Sequence, residues 1–445
     1  MVLETEGHVG ADGVREALAG ALAAHPVTLA PLRISLLSGR PYWAAPVCAD
    51  AAAGRAVGGA FSCDDLSQMC PPGQGGGADA RWEEHLERLC LERYVPRWGL
   101  EGGANLRLEQ YLLPDGRTRF RLLWPHFLMD AEGAQWFFRE IDRCFGSRGG
   151  RAEQTGDGAK RKETVEAALL PDGAAMDLLA GSSFLERVRL FRRGFSLQTD
   201  AKGLEISALA SGREAAVESL GLIHRCWSAR ELEAIHAAAK GTTPAGPALY
   251  ARHLAACVVR ALHRLYGEQG ARTAGYLITF PMRPAGGRDL DVRPVHGNYL
   301  VSPVLCARRE LALDRQALGE SILRQLGEYR RRQGDSAQWA MVWAASFLRA
   351  SYYDLIFRLP LGFERLSTGF SYYGEIGRPI RSFCGARVVN FLGGGPLGTP
   401  PGWNPVFSRW HDRLNLSLTW NRPQIADGLA ARYAALIEAE VFATA

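Results

Sequence analysis

Apolar residues recur at helical spacing in some segments of the 445-residue chain and at strand spacing in others. Near the start they fall on one helix face, at Val14, Ala17, Leu18, Ala21 and Leu22. This spacing predicts a helix over residues 11–24, and His25-Pro26 ends it, because the residue before a proline avoids helical backbone. Residues 32–37 and 41–47 then show the short apolar runs that are typical of strands.

A helix, a hairpin and a second helix are predicted in the next part of the chain. Residues 81–94 have helical periodicity. Residues 106–113 and 118–124 have the pattern of strands and flank Pro114-Asp115-Gly116, which is a turn signal, so they predict a β-hairpin. Residues 134–145 place aromatic and aliphatic side chains at helical spacing again.

In the second half of the chain, as in the first, predicted helices and strands are interleaved. Its pattern predicts helices over 247–266, 314–332 and 425–442, and an apolar region over 337–359. It predicts strands at 275–282, 298–305, 369–373, 388–392 and 414–420. Because helices and strands interleave in both halves, the pattern favours an α/β sandwich that occurs twice.

The best candidate domain boundary is the segment SRGGRAEQTGDGAKRK, residues 147–162. It has almost no large apolar side chain, so burial cannot repay the entropy of ordering it, and a flexible linker is expected. The sequence therefore predicts an N-terminal lobe over 1–146, a linker over 147–170 and a C-terminal lobe over 171–445.

Composition narrows the functional classes. The chain is 47% hydrophobic and 22% charged, which excludes a disordered protein, and its net charge of +5 is well short of a dedicated nucleic-acid binder. Glycines and prolines interrupt the longest uncharged stretch, and the start MVLETEGHVG lacks the pattern of a signal peptide. The nine cysteines form no C-x-x-C pair. We therefore expect a reduced, cytoplasmic protein with no membrane span and no metal site.

Candidate chemistry is concentrated in the segment WPHFLMDAEG, residues 124–133. An apolar strand runs directly into His126, and Asp130 follows four residues later before small residues. Histidine is the side chain whose ordinary pKa suits proton abstraction near neutral pH. By itself the spacing is equally typical of a loop histidine beside an aspartate that caps a helix.

This segment resembles the HHxxxDG motif of the superfamily that contains chloramphenicol acetyltransferase and the condensation domains of nonribosomal peptide synthesis. The motif lies at the end of a strand and before a helix, and PHFLMDA occupies that place here, with Pro125 for the first histidine and Ala131 for the glycine. Other segments are similar to the family in the same order: VGADGVREALAGALAAHPV, LRLEQYLLPDGRTRFRLLWPHFLMD, YLITFPMRP, HGNYL and FSYYGEIG. The family's first strand is short or absent at the start of this chain.

The resemblance implies a fold and a reaction. The fold is two chloramphenicol acetyltransferase-like α/β sandwich lobes in a V, with a tunnel at their interface. The reaction moves an acyl group from a thioester to a hydroxyl or amine, and His126 is the general base. Ser371 or the hydroxyl of Tyr372 is the implied donor to the oxyanion. These expectations place the protein in natural-product or lipid biosynthesis.

The resemblance also implies supporting residues and partners. Asp130 is expected to pair with Arg283 and so to lock the motif loop, and Asn298 is expected to line the tunnel. Neither a metal nor a redox cofactor is implied, since the co-substrate is coenzyme A or phosphopantetheine on an acyl-carrier protein. Two alternatives remain open. One is a free-standing condensation enzyme that releases a carrier-bound peptide or polyketide as an amide or ester; the other is a non-catalytic module that recruits carrier proteins.

Overall fold

A computed structural model of the chain describes most of its residues. The described residues are 1–35, 41–44, 49–68, 85–86, 89–90, 104–147, 178–179, 181–199, 209, 220–240, 247–284, 296–349, 352, 366–376, 380–395, 397 and 402–443. Most of the predicted helix at 81–94, and the predicted linker apart from Ser147, lie outside them.

The strands are numbered in chain order: β1 (Val2–Thr5), β2 (Leu32–Ile34), β3 (Pro41–Trp43), β4 (Phe61–Asp65), β5 (Arg107–Leu112), β6 (Thr118–Leu123), β7 (Leu220–Trp227), β8 (Gly275–Thr279), β9 (Val304–Arg308), β10 (Ser371–Glu375), β11 (Ser382–Phe383), β12 (Ala386–Leu392), β13 (Trp403–Trp410) and β14 (Arg413–Asn421). The helices are α1 (Ala11–Ala24), α2 (Ala49–Ala60), α3 (Ala131–Gly146), α4 (Phe184–Thr199), α5 (Ala229–Lys240), α6 (Pro247–Glu268), α7 (Arg315–Arg331), α8 (Gly334–Ala345) and α9 (Asp427–Phe442).

The chain divides into two compact units, each assembled from separate stretches of sequence. The first unit comprises Met1–Asp177, Arg288–Tyr299 and Ile376–Leu392. The second unit comprises Leu178–Gly287, Leu300–Glu375 and Gly393–Ala445. This architecture confirms the expected α/β fold with two lobes. The lobe boundaries at 147–170, the V and the tunnel stay predictions.

The first unit is built on a six-stranded sheet of order β11-β12-β1-β6-β5-β4. Strand β6 alternates buried and half-buried residues, as expected for a strand with one face against a core. It forms the predicted hairpin with β5, and Gly116 in the connecting turn has a φ of +81°, which glycine adopts without strain. Strand β12 lies far along the chain, yet it pairs with β1 at the centre of this sheet.

Helices α1 and α3 pack together in the first unit. The residues predicted for the buried face of α1 are all fully buried: Val14, Ala17, Leu18, Ala21 and Leu22. Helix α3 buries Phe137, Phe138 and Ile141, and the Phe138 ring packs edge-on against Phe383 and Phe391. This packing fixes the start of α3, which is where the motif aspartate lies.

The second unit contains a four-stranded sheet of order β10-β13-β14-β7 and a separate pair formed by β8 and β9. Helix α6 is the central core helix of this unit, and its residues from Leu254 to Val259 are all buried. Helix α9 packs along it. The predicted strand at 298–305 begins later than expected, since β9 spans Val304–Arg308. In the described part of the chain, no helix is long and apolar enough to cross a membrane.

Candidate active site

His126 lies just after the end of strand β6, in a short turn that two hydrogen bonds close. The backbone N–H of Leu128 donates to the carbonyl of Pro125 at 2.9 Å, and the indole N–H of Trp124 donates to the carbonyl of Met129 at 2.7 Å. These two bonds close the turn on both sides of His126, whose side chain is half-buried. The turn therefore offers the imidazole in a defined place between β6 and α3.

Asp130 is the N-cap of helix α3. Its Oδ1 accepts hydrogen bonds from the backbone N–H groups of Glu132 and Gly133, both at 3.0 Å. An N-cap aspartate satisfies amide groups that have no partner within the helix and suits the positive end of the helix dipole. Its Oδ2 accepts from the backbone N–H of Tyr299 at 3.3 Å, so this buried carboxylate serves two segments.

Residues 296–299 lie alongside the motif turn. Met129 and Gly297 form a parallel β-bridge, in which the Gly297 N–H donates to the Leu128 carbonyl at 2.8 Å and the Asp130 N–H donates to the Gly297 carbonyl at 3.1 Å. Gly297 has a φ of +115°, a backbone conformation that favours glycine. This pairing is the reason why the strand predicted from residue 298 starts later.

The bridge places the carboxamide of Asn298 against the imidazole of His126. The Nδ2 atom of Asn298 lies 2.8 Å from the Nδ1 atom of His126. Within the described part of the chain, the Nε2 atom of His126 makes no hydrogen bond. Two of the predicted site residues, 172 positions apart in the sequence, are therefore in direct contact, and the outer ring nitrogen is left available.

The surroundings favour the neutral form of His126. Burial lowers the pKa of its imidazole, because a charged ring loses hydration there. A hydrogen bond to its own backbone carbonyl and the charge of Asp130 oppose this effect and raise the pKa, but burial dominates. A neutral imidazole near neutral pH is the protonation state that a general base requires.

A pair of histidines, His25 and His296, lies beside the segment at 296–299. The Nε2 atom of His296 lies 3.3 Å from the Nδ1 atom of His25, and the two rings meet edge to face. The Nε2 atom of His25 lies 4.0 Å from Glu140 of α3, which also forms an ion pair with Arg143. The sequence did not predict this contact. The pattern around His25 indicates only the end of a helix, and its partner His296 is 271 residues away.

The other predicted site residues belong to the second unit. Ser371 and Tyr372 are neighbours on β10, so their side chains point to opposite faces of the sheet. The ring of Tyr372 packs against the core, 5.6 Å from the ring of Tyr250 on α6. Ser371 is buried on the other face. Arg283 follows the β8 region and is exposed, and its pairing with Asp130 stays a prediction.

The described residues contain no group of three or more histidine, cysteine, aspartate or glutamate side chains that could hold a metal ion. The seven cysteines in the described segments form no disulfide, and Cys90, Cys257 and Cys384 are buried. The site is thus an imidazole with a carboxamide beside it and a helix-capping carboxylate behind it.

No protein-family model matches the sequence, and no curated protein matches it. Solved structures do match its fold. The first condensation domain of the calcium-dependent antibiotic synthetase, in complex with a substrate analogue, has a TM-score of 0.63 at 16% identity, covering 99% of this chain and 90% of that chain.

Two further structures have the same fold. The epimerization domain from the third module of tyrocidine synthetase B has a TM-score of 0.61 at 15% identity, covering 99% of this chain and 90% of that one. The X-domain from teicoplanin biosynthesis has a TM-score of 0.55 at 14% identity, covering 99% and 88%. At these identities, the likeness establishes the fold.

Proposed function

We propose that the protein transfers an acyl group from a thioester to an amine or hydroxyl, with His126 as the general base. The observation that carries this proposal is the state of His126, which stands at the end of β6 with its Nδ1 edge occupied by Asn298 and its pKa lowered. Its Nε2 atom is thus the ring atom left to take a proton. The shared fold with condensation domains supports the same chemistry.

In this reaction the acceptor nitrogen or oxygen attacks the thioester carbonyl carbon while Nε2 of His126 takes the acceptor's proton. The carbonyl electron pair moves to oxygen and forms an oxyanion. Collapse of this intermediate breaks the carbon–sulfur bond, and the imidazolium returns its proton to the leaving thiolate. The products are an amide or ester and a free thiol, so the step is balanced without an oxidant or a metal.

Ser371 is the better of the two proposed donors to the oxyanion. A donor must be oriented before the reaction, because pre-oriented dipoles supply much of such catalysis. The Tyr372 ring is committed to packing with Tyr250 on the helix-covered face of the sheet. The Ser371 hydroxyl, on the opposite face, makes no hydrogen bond within the described part of the chain.

The thioester donor is either an acyl-CoA or an acyl group on the phosphopantetheine of a carrier protein. A condensation enzyme that releases a carrier-bound chain is a variant of the same reaction. The condensation domain that mediates chain release from the enacyloxin polyketide synthase has this fold, with a TM-score of 0.53 at 14% identity, covering 99% of this chain and 76% of that one.

A non-catalytic recruitment module is the second candidate function. The X-domain of teicoplanin biosynthesis shares the fold and has been solved in complex with OxyB. Pro125 and Ala131 also replace the histidine and glycine of the motif in this chain. On this alternative, the imidazole at position 126 is a structural remnant.

The test is a product assay with the full chain. Acyl-CoA and acyl-carrier donors are offered with a panel of amines and alcohols, and intact-mass spectrometry detects acylated products. His126→Ala is expected to lower turnover on the order of 10²–10⁴-fold with the fold intact. The control is His411→Asn, which changes an exposed histidine in the β13–β14 turn. Unchanged turnover in His126→Ala would overturn the assignment and favour the recruitment module.

A further inference from the structure

We infer that Asn298 is a positioning residue that holds the His126 imidazole in the tautomer with its proton on Nδ1. This inference rests on the proposed function, because only that tautomer leaves a lone pair on Nε2 for the acceptor's proton. Neutral histidine carries one proton on either ring nitrogen, and the partner of one nitrogen decides the state of the other.

Two groups meet at the Nδ1 edge of His126. One is the carboxamide of Asn298, at 2.8 Å, and the other is the backbone carbonyl of His126 itself, which raises the pKa of the ring. Nδ1 is the nitrogen next to the backbone, so it alone can reach that carbonyl. A carbonyl oxygen only accepts hydrogen bonds. This carbonyl therefore favours the proton on Nδ1, and a carboxamide oxygen beside Nδ1 strengthens that preference.

A protonated Nδ1 requires Asn298 to present its oxygen. An amide NH₂ facing an imidazole N–H would bring two donors together. The oxygen and nitrogen of a carboxamide exchange places by a half-turn, with little change in shape. With Oδ1 toward the ring, Asn298 accepts from Nδ1–H together with the His126 carbonyl. Nε2 then carries the lone pair.

Asp130 does not perform this role, although its spacing from His126 suggests it. Its Oδ1 accepts from the two amides at the start of α3, and its Oδ2 accepts from the Tyr299 N–H. Its charge still acts on the imidazole through space and raises the pKa. The side chain that contacts the ring directly is therefore the uncharged Asn298. Beside this neutral group the pKa of the imidazole is lower than it would be beside a carboxylate.

The backbone on both sides of Asn298 is anchored, so its side chain is placed before any substrate arrives. Gly297 is bonded to the motif turn through the bridge with Met129. The Tyr299 N–H is bonded to Asp130, and the Tyr299 hydroxyl donates to the His296 carbonyl at 2.8 Å. An orienting group must be fixed in this way, because its value lies in excluding other arrangements of the ring.

The first experiment reads the tautomer without any substrate. Histidine ¹⁵N spectra of the full chain, recorded above the pKa of His126, are expected to show a protonated Nδ1 and an unprotonated Nε2. Asn298→Leu removes the polar group at an exposed position and is expected to shift His126 toward the Nε2–H form. His224, whose Nε2 lies 3.2 Å from Asn415 Oδ1 on β14, is the internal reference and should not change.

The second experiment reads catalysis. Asn298→Leu is expected to lower kcat about 10- to 100-fold with little change in KM, as is typical of groups that orient a catalytic histidine. Asn298→Asp keeps an acceptor but adds a charge, so it should retain activity and move the acid limb of the pH–rate profile to higher pH.

The two readouts separate the inference from the proposed function. A wild-type His126 with its proton on Nε2, or a tautomer that Asn298→Leu leaves unchanged, would overturn the positioning role. A wild-type protein with the Nδ1–H tautomer but no turnover of any thioester donor would instead contradict the proposed function. Equal pH profiles for the wild type and Asn298→Asp would also count against the inference.

Discussion

The carboxylate of Asp130 joins two segments that lie 169 residues apart, through the hydrogen bond that its Oδ2 accepts from the backbone N–H of Tyr299. Its other oxygen caps helix α3. One buried side chain therefore fixes both the start of the helix behind His126 and the segment that carries Asn298. The stability of the site and its geometry depend on the same carboxylate.

Replacement of Asp130 should lower the free energy of unfolding by more than the loss of an ordinary helix cap does. Asp130→Ala removes the cap of α3 and leaves the Tyr299 N–H without its acceptor, so the free energy of unfolding should fall by about 2–3 kcal/mol. Asp314→Ala is the matched control, because Asp314 caps α7 through the Ala317 N–H. It should cost about 1 kcal/mol and leave turnover unchanged. Denaturant unfolding measures the loss of stability in both variants. Equal losses would contradict the conclusion that Asp130 both caps α3 and holds the Tyr299 segment.

Gly297 is expected to tolerate no side chain. A Cβ there would lie 2.6 Å from the Tyr299 Oη, and the φ of +115° is itself unfavourable for alanine. Gly297→Ala should therefore reduce both turnover and stability, the latter by more than the roughly 1–2 kcal/mol that a positive φ alone costs. Gly7→Ala is the control, since Gly7 has a φ of +75° with nothing within 4 Å of the added Cβ. A Gly297→Ala protein as stable and active as Gly7→Ala would refute this expectation.

His296 should make the first unit sensitive to acid. Burial, and to a smaller extent the charge of the nearby His25, lower its pKa from an ordinary 6.5 to about 3. The unfolded chain therefore binds more protons than the folded chain between these two values, so stability is full above about pH 6.5 and falls as the pH drops toward 3. His296→Gln should reduce the loss of unfolding free energy over this pH range by about 1–3 kcal/mol. The effect is smaller than for a fully buried group, because solvent partly reaches the ring.

Unfolding free energies at several pH values measure that effect. The wild type and His411→Asn, which alters an exposed histidine, should show the same acid loss. If His296→Gln lost stability on acidification as steeply as the wild type, then His296 would not be the group that takes up the proton.

The predicted pairing of Asp130 with Arg283 is testable by a double-mutant cycle. Asp130→Asn, Arg283→Gln and the double variant are compared in unfolding free energy. A direct pair predicts a coupling of about 0.5–1 kcal/mol, which is small because Arg283 is exposed. Additive effects would show that Asp130 acts only through the backbone amides of α3 and Tyr299.

Local patterns in the sequence determined the elements around the motif. The strand patterns of β5 and β6, the turn at Pro114-Asp115-Gly116 and the periodicity of α3 each depend on neighbouring residues, and the structure confirms the hairpin and the helix. Such patterns report which face of an element is buried. They also place His126 at the end of a strand and Asp130 at the start of a helix.

Contacts between distant segments were decided only by the tertiary structure. The predicted strand at 298–305 starts at Val304, because residues 296–299 pair with the motif turn instead. Likewise, the contact between His126 and Asn298 and the pairing of β12 with β1 join residues far apart in the chain. Residue spacing encodes which side chains share a face of one element, but which elements then meet depends on how all of them pack at once. The sequence could thus identify the imidazole as a candidate, and only the fold shows which side chain lies against it.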